Sequence, residues 1–436
     1  MPKMKALAQL LRELEDALVV CMRCGLCQAV CPLFAETGRE ADVARGKLAL
    51  LDGLMQQMFK DPQGVYDRLD RCLLCGSCAA NCPSGVRVLD IFIKARAILS
   101  GYLGLSPVKK AIFRRMLAQP ELFNRLLDWG ARLQGVFIKP LDDMLGSSCS
   151  RFLSPLLAGR HFKPLAQTPF HRLLPSLHTR PASGKPRVAF FVGCLIDRFF
   201  PGVGEATLKV LAHHGVGVFL PEDLGCCGIP ALSAGDTAAF NRLVRHNLER
   251  FGSEPFDYLV TACATCTATL KTMWPLMVLD PSGAEKAQIA ALADKTLDIS
   301  QFLVAKVGVE PGSSPGVAAP ETLTYHDPCH LQKSLGVAAE PRAVIRANPS
   351  YRFQEMAEAD WCCGSGGSFN LQNYEVSAAI GRRKRDHILK SGCAAVATAC
   401  PACMLQLIDT LSQAGARVKV KHAVEIYSEA LEQSPP

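Results

Sequence analysis

Nowhere in the 436 residues do about eighteen apolar side chains follow one another without a charge, so no segment is built to cross a bilayer as a helix. The opening MPKMKALAQLLRELEDALVV scatters charges through its apolar positions and offers no small-residue cleavage site. No secretory leader is read, and a reducing cytoplasm is expected. Gly202-Val203-Gly204 lacks the third glycine of a dinucleotide fingerprint, and no Gly-x4-Gly-Lys-Ser/Thr loop occurs, so neither a dinucleotide nor an NTP site is supported. No motif for nucleic acid accompanies the positive charge.

That charge is local. The net +8 is the balance of 48 Lys and Arg against 40 Asp and Glu, yet residues 85–187 alone hold 17 against 5, which is +12. Three readings suit such a segment: a solvated surface, peripheral contact with the anionic inner face of the cytoplasmic membrane, or an acidic partner subunit.

What the chain does have is cysteine, 20 in all, too sparse for a disulfide scaffold and clustered at two-residue gaps. Cys21-x2-Cys24-x2-Cys27-x3-Cys31-Pro32 recurs as Cys72, Cys75, Cys78, Cys82 and Pro83. Thiolates are soft ligands that suit zinc or an iron-sulfur cluster. Three cysteines at three-residue steps wrap one cluster, and the fourth, before proline, reaches across to the other. On that logic Cys21, Cys24, Cys27 and Cys82 hold one [4Fe-4S] centre, and Cys72, Cys75, Cys78 and Cys31 the second. Arg23, Leu26, Leu73 and Leu74 inside the loops are given no role.

A second pattern also comes twice. Cys194, Cys226-Cys227-Gly228, Cys263 and Cys266 return as Cys329, Cys362-Cys363-Gly364, Cys400 and Cys403. Matching cysteines are 135, 136 and 137 residues apart, which points to duplication. Each copy opens with a β-like run, 187–192 (RVAFFV) or 322–325 (TLTY), behind a Pro/Gly/Ser linker at 181–186 or 311–320. Further β-like runs at 216–220, 258–261 and 394–398 precede cysteines, and helical patterns at 205–214 and 404–414 end at glycine. Alternating strand and helix implies a parallel sheet whose carboxyl-end loops gather the five cysteines of a copy at one edge.

The chain is therefore expected to be multidomain: an α-helical ferredoxin-like N-terminal module at 1–100, a basic helical linker at 101–185, and two duplicated α/β Cys-Cys-Gly domains at 186–310 and 321–436. In the module, 47–58 and 89–99 read as helices. In the linker, 108–117 is an imperfect helix, and Leu122, Leu126, Trp129 and Leu133 form a stripe at helical spacing behind Pro120.

Five thiols exceed what zinc or a cubane needs, and Gly228 or Gly364 supplies the tight turn that adjacent sulfurs require. Either an additional iron-sulfur centre, of which a non-cubane [4Fe-4S] is one form, or zinc with a spare thiol satisfies each copy. His326 and His330 flank Cys329, and His214 ends a helix; each is a candidate ligand or proton relay, against the plainer reading of a satisfied strand-end histidine. Cys149 and Cys393 stand outside every pattern and read as packed thiols.

The strings CMRCGLCQAVCP, ARGKLAL, LDRCLLCGSCAANCPSGVR, DLGCCGIP, HDPCHL and WCCGSGG resemble the iron-sulfur subunits of glycolate oxidase and related lactate dehydrogenases. That resemblance implies an electron-transfer subunit of an oxidoreductase complex. A separate FAD-binding dehydrogenase subunit would oxidise a 2-hydroxy acid, and this chain would pass single electrons to a quinone or another carrier, with no dehydrogenase activity of its own. All ten C-terminal cysteines stand, a completeness shared with the catalytic subunits of heterodisulfide reductases, which cleave disulfides. The iron-sulfur subunit of anaerobic glycerol-3-phosphate dehydrogenase is a third relative with this layout.

Overall fold

The computed structural model describes residues 2–152, 159–312 and 320–433. Most of the expected linker at 311–320 lies outside them. The N-terminal region is helical because leucines recur at helical spacing on segments short enough to stack. Helices Pro2–Leu11, Ala44–Met55, Pro62–Asp70 and Val88–Leu103 bury Leu7, Leu51, Leu69, Ile91, Phe92 and Leu99 against one another. The helix expected at 47–58 starts earlier and stops at Met55. Gln57 takes a left-handed conformation there, and Phe59 folds back so closely on Gly53 that a Cβ would meet its ring at 2.5 Å.

The basic segment is not helical throughout. Pro107–Lys110 and the wider turns of Ala111–Leu117 lead into the long helix Pro120–Phe137. A hairpin of β1 (Ile138–Asp142) and β2 (Ser147–Ser150) follows. The helix Pro120–Phe137 buries Asp128 and Ala131, and Arg198 reaches Asp128 at 2.6 Å. Its stripe of Leu122, Leu126, Trp129 and Leu133 faces outward.

Two sheets carry the rest. The first orders β3 (Leu177–His178), β5 (Gly217–Leu220), β4 (Arg187–Phe190), β6 (Tyr258–Thr261) and β7 (Thr296–Asp298). All pairs are parallel except β3 with β5. The second orders β9 (Tyr351–Phe353), β8 (Glu321–His326), β10 (Ala395–Thr398) and β11 (Lys419–His422), all parallel. Copy two thus repeats the order of β5, β4, β6 and β7, as duplicated α/β domains should. The expected strand runs fall on β4, β5, β6, β8 and β10, and the expected helices on Pro201–His213 and Pro401–Gln413. Strands of four to six residues, buried on both faces, explain why these runs read as unbroken apolar stretches.

Candidate metal centres

The two N-terminal runs share one backbone solution. Three thiols separated by two residues converge only if the loop between them changes hand. Arg23 and Gly25 in the first run, and Leu74 and Gly76 in the second, have φ of 57°, 90°, 54° and 76°. A left-handed non-glycine residue costs about 1–2 kcal/mol. The same strain at Arg23 and Leu74, equivalent positions of the two runs, marks loops shaped for something besides packing. Nothing in the spacing of a run reports backbone hand, so this feature had no signal in the chain.

Each run's fourth cysteine lies with the other run. Cys82 lines a cleft with Cys21, Cys24 and Cys27, which Cys78 also borders. Cys31 packs against the same buried cluster as Cys75, close enough to feel its charge, and its sulfur accepts from the Phe34 amide at 3.5 Å. Burial pushes the Cys31 thiol up to about 12, and the nearby charges of Cys72 and Cys75 add to it. Buried Lys47 donates to the Asp42 and Ala41 carbonyls at 2.8 and 3.2 Å. Burial lowers its pKa, while Cys72, Asp42 and Cys31 pull the other way.

In the C-terminal copies the parallel sheets deliver the cysteines as their topology requires. Cys194 opens the helix after β4, the Cys226-Cys227 pair follows β5, and Cys263 follows β6, with Cys266 on the next helix. Cys329, Cys362-Cys363, Cys400 and Cys403 occupy the matching places after β8, β9 and β10. The Cys194 and Cys226 sulfurs are 3.8 Å apart. Gly193 approaches so closely that a Cβ there would lie 3.0 Å from the Cys266 sulfur.

The copies do not stay separate. Cys227 neighbours Cys226 and Cys266, Cys263 neighbours Cys266 and Cys400, and Cys403 neighbours Cys363 and Cys400. Cys362 in turn neighbours Cys329, Cys363 and Cys75. One row of sulfur therefore runs from Cys194 through both copies to Cys75 in the N-terminal region. Cys227, Cys363, Cys400 and Cys75 each lie against two neighbouring cysteine thiols that favour the thiolate, and are pulled well below the usual thiol range. Their neighbours are pushed well above it, Cys226 by Cys194 and then Cys227, Cys266 by Cys227 and Cys403 by Cys363, with burial adding to each.

Several polar side chains brace the row. The Ala264 amide donates to the Ala399 carbonyl at 3.1 Å, tying the copies together. Buried Arg96 donates to the carbonyls of Leu69, Cys72 and Ser233 at 2.5, 2.9 and 2.8 Å, which fixes the second run against copy one. Lys333 donates to Ser77 Oγ and the Asp360 carbonyl, both at 2.8 Å. Burial opposes its charge, but Cys329 and Cys75 outweigh that and raise its pKa. Lys47, Arg96 and Lys333 were not singled out in the sequence, because lone basic residues in helices carry no local signature.

Of the other candidates, His330 joins copy two to Thr265 and Leu74, and His326 sits with Cys363 and Cys403. His214 instead bonds the Tyr427 hydroxyl at 2.9 Å and stacks on its ring. Cys149 lies on β2, and the Cys393 sulfur rests 3.8 Å from the Ser391 carbonyl; both are away from the row. All twenty cysteines are unpaired. Soft thiolates, buried cations beside them and a buried histidine against two of the thiols make a donor set that fits iron-sulfur clusters.

These features define an iron-sulfur protein with a dicluster module and a duplicated cysteine-rich domain. The 4Fe-4S dicluster domain family matches residues 17–86, and the cysteine-rich domain family matches 188–271 and 323–408. A probable glycolate oxidase iron-sulfur subunit of Bacillus subtilis is 30% identical over 435 residues, 95% of this chain and 94% of the relative. Lactate utilization protein A of Exiguobacterium is 32% identical over 249 residues, 57% of this chain and all of the relative. A fumarate reductase (CoM/CoB) subunit from Methanothermobacter marburgensis is 29% identical over 93% of this chain and 71% of the relative. The chain belongs to the family of glycolate oxidase iron-sulfur subunits, and it is an iron-sulfur subunit of the oxidoreductase class. No helix among the described residues is long and apolar enough to cross a membrane.

Proposed function

We propose that this chain carries single electrons from an FAD-binding dehydrogenase subunit, which oxidises a 2-hydroxy acid such as glycolate or lactate, to a quinone or another carrier. The observation that carries the reading is the continuous row of sulfur from Cys194 to Cys75. Carriers held along such a row lie close enough to hand electrons on in sequence.

In this reading Cys21, Cys24, Cys27 and Cys82 hold one [4Fe-4S] cluster of an α-helical ferredoxin-like module, and Cys72, Cys75, Cys78 and Cys31 hold the other. Cys194, Cys226, Cys227, Cys263 and Cys266 hold a further centre, as do Cys329, Cys362, Cys363, Cys400 and Cys403. Bound clusters supply one-electron chemistry at potentials set by hydrogen bonds, burial and local charge. The protein's part is to hold cations near the thiolates, through Lys47 and Lys333, and to keep the row rigid through Arg96. Residues 1–100, 101–185, 186–310 and 321–436 are the corresponding units. The outward stripe on Pro120–Phe137, flanked by exposed Arg125 and Arg132, supports seating on the inner face of an anionic membrane.

A second reading is favoured by one contact. Cys263 and Cys400, from different copies, meet at the junction, where two metal centres could act together on a disulfide, as in a heterodisulfide reductase. Anaerobically purified protein decides between them. Iron and acid-labile sulfide, absorption bleached by dithionite, and 2-hydroxy-acid oxidation only after a flavin subunit is added are expected. Turnover of a disulfide with reduced viologen and no flavin would favour the second reading, and colourless protein free of sulfide would overturn both.

A further inference from the structure

We propose that His326 is a nitrogen ligand of the metal centre in the second cysteine-rich copy, which makes that centre chemically unlike its counterpart in the first. The inference rests on the iron-sulfur reading above.

His326 is the last residue of β8, opposite Thr398 of β10, and is completely buried. A ring nitrogen and the sulfurs of Cys363 and Cys403 all lie within 4.8 Å of one another. Among the described residues no hydrogen bond of ordinary geometry closes on either ring nitrogen, and the one group the ring favours is the neighbouring Cys363 thiolate. A neutral imidazole has one N–H to donate and one lone pair to place, and buried polar groups in native proteins rarely go without partners. Donors gathered this closely need only a small approach to close on one metal ion. Metal–nitrogen bonds of about 2.0–2.1 Å and metal–sulfur bonds of about 2.3 Å at tetrahedral angles put donors about 3.5–3.8 Å apart.

The backbone holds this triangle firmly. The hydrogen-bonded register of β8 on β10 sets the height of His326. Gly364, directly behind Cys363, has φ 92° and room for no side chain, because a Cβ would sit 2.4 Å from the Ser377 carbonyl oxygen. Cys363 therefore keeps one direction of approach.

The first copy has nothing equivalent. Three residues before its leading cysteine stands Phe191, buried with its ring centroid 6.2 Å from that of Phe251. Unpartnered buried hydroxyls occur in both copies, on Thr261 and on Thr324 and Thr398, so they do not set one copy apart. The histidine does, and among the described residues it alone stands with two thiols. With His326 bound, one of the five thiols of copy two is left off the metal, and imidazole in place of a thiolate raises the potential of an iron-sulfur centre, so copy two is expected to be the more easily reduced of the pair.

The test uses the full chain, purified without oxygen and grown with 14N- or 15N-histidine, and pulsed EPR of the dithionite-reduced protein. A nitrogen coupling of directly bound strength is expected, rescaled by the isotope and lost in His326→Cys. Redox titration of His326→Cys should lower the midpoint of one centre and leave the others in place. Iron bound in full with no histidine coupling in the unsubstituted protein would overturn the proposal, as would a coupling that survives His326→Cys. Absence of iron would instead sink the reading on which it rests.

Discussion

His330 Nε2 lies 3.1 Å from the carbonyl oxygen of Leu74, a hydrogen bond between residues 256 positions apart that fastens copy two to the second N-terminal cysteine loop. A carbonyl only accepts, so Nε2 carries the proton, and Nδ1 completes the bridge at 3.1 Å from Thr265 Oγ1 in copy one. Three regions of the chain therefore meet on one imidazole. The contact also explains how Leu74 keeps its left-handed conformation, since its carbonyl is held from outside the loop.

Replacing His330 with Phe leaves the Leu74 carbonyl unpaired and the Thr265 hydroxyl with only the Cys400 sulfur, 3.5 Å away. Each lost partner costs about 1–3 kcal/mol where water cannot substitute, and because the ring is only partly buried a total of about 2–3 kcal/mol is expected. Denaturant unfolding should report it, together with faster loss of iron to a chelator. His330→Gln keeps a donor and an acceptor and should recover part of both.

Glycines with the same φ sign should differ in tolerance. At Gly364 an added methyl strikes backbone, the Ser377 carbonyl at 2.4 Å, whereas at Gly228 it meets the Phe240 ring at 2.6 Å, and at Gly392 it meets nothing. Left-handed alanine costs about 1–2 kcal/mol in every case. A ring can swing and a buried carbonyl cannot, so Gly392→Ala should lose about that much, Gly228→Ala more, and Gly364→Ala about 3 kcal/mol or more with loss of iron from copy two. Iron content and unfolding midpoints of the three variants check the order.

Asp298 and His422 end β7 and β11, equivalent strands of the two copies, and both are fully buried. Burial raises Asp298 to about 7 and lowers His422 to about 4. For Asp298 the folded chain keeps a proton that the unfolded chain releases near pH 4, so its contribution falls as pH rises from about 4 to 7. For His422 the unfolded chain takes a proton below about 6.5 that the folded chain refuses, so its contribution rises with pH from about 4 to 6.5. Each slope is about 1.4 kcal/mol per pH unit, and they oppose each other. Asp298→Asn should expose a stability that climbs between pH 5 and 6.5, and His422→Asn one that declines. Parallel slopes in the two variants would contradict the assignment.

Much of this was legible in the chain because thiol spacing and strand periodicity are local. β6 falls on the YLVT run itself, and the offset of 135–137 residues between copies becomes a repeated strand order. What was not legible is long-range. Nothing near Cys263 announces Cys400, and nothing near Cys75 announces Cys362; those meetings depend on how two sheets and a helical module dock. The stripe at Leu122, Leu126, Trp129 and Leu133 makes the same point. Its helical period was plain, but the direction it faces is decided by Asp128 and Ala131 on the opposite side.

That stripe supports a direct test of membrane seating. Trp129, Leu133, Val136 and Phe137 are 64%, 50%, 60% and 56% exposed, with exposed Arg125, Arg132 and Lys139 beside them. Fully burying one such side chain is worth about 1.5–3 kcal/mol, and each cation near an anionic surface adds about 1 kcal/mol. Cosedimentation with vesicles containing anionic phospholipid is expected, together with a blue shift of Trp129 fluorescence, and neutral vesicles should bind far less. Leu133→Glu removes an apolar anchor and adds repulsion, so binding should fall at least tenfold, about 1.4 kcal/mol. Because Leu133 faces outward, the variant should unfold where the unsubstituted protein does. If Leu133→Glu binds vesicles normally but fails to join the flavin subunit, the stripe is a protein interface and the basic segment serves an acidic partner.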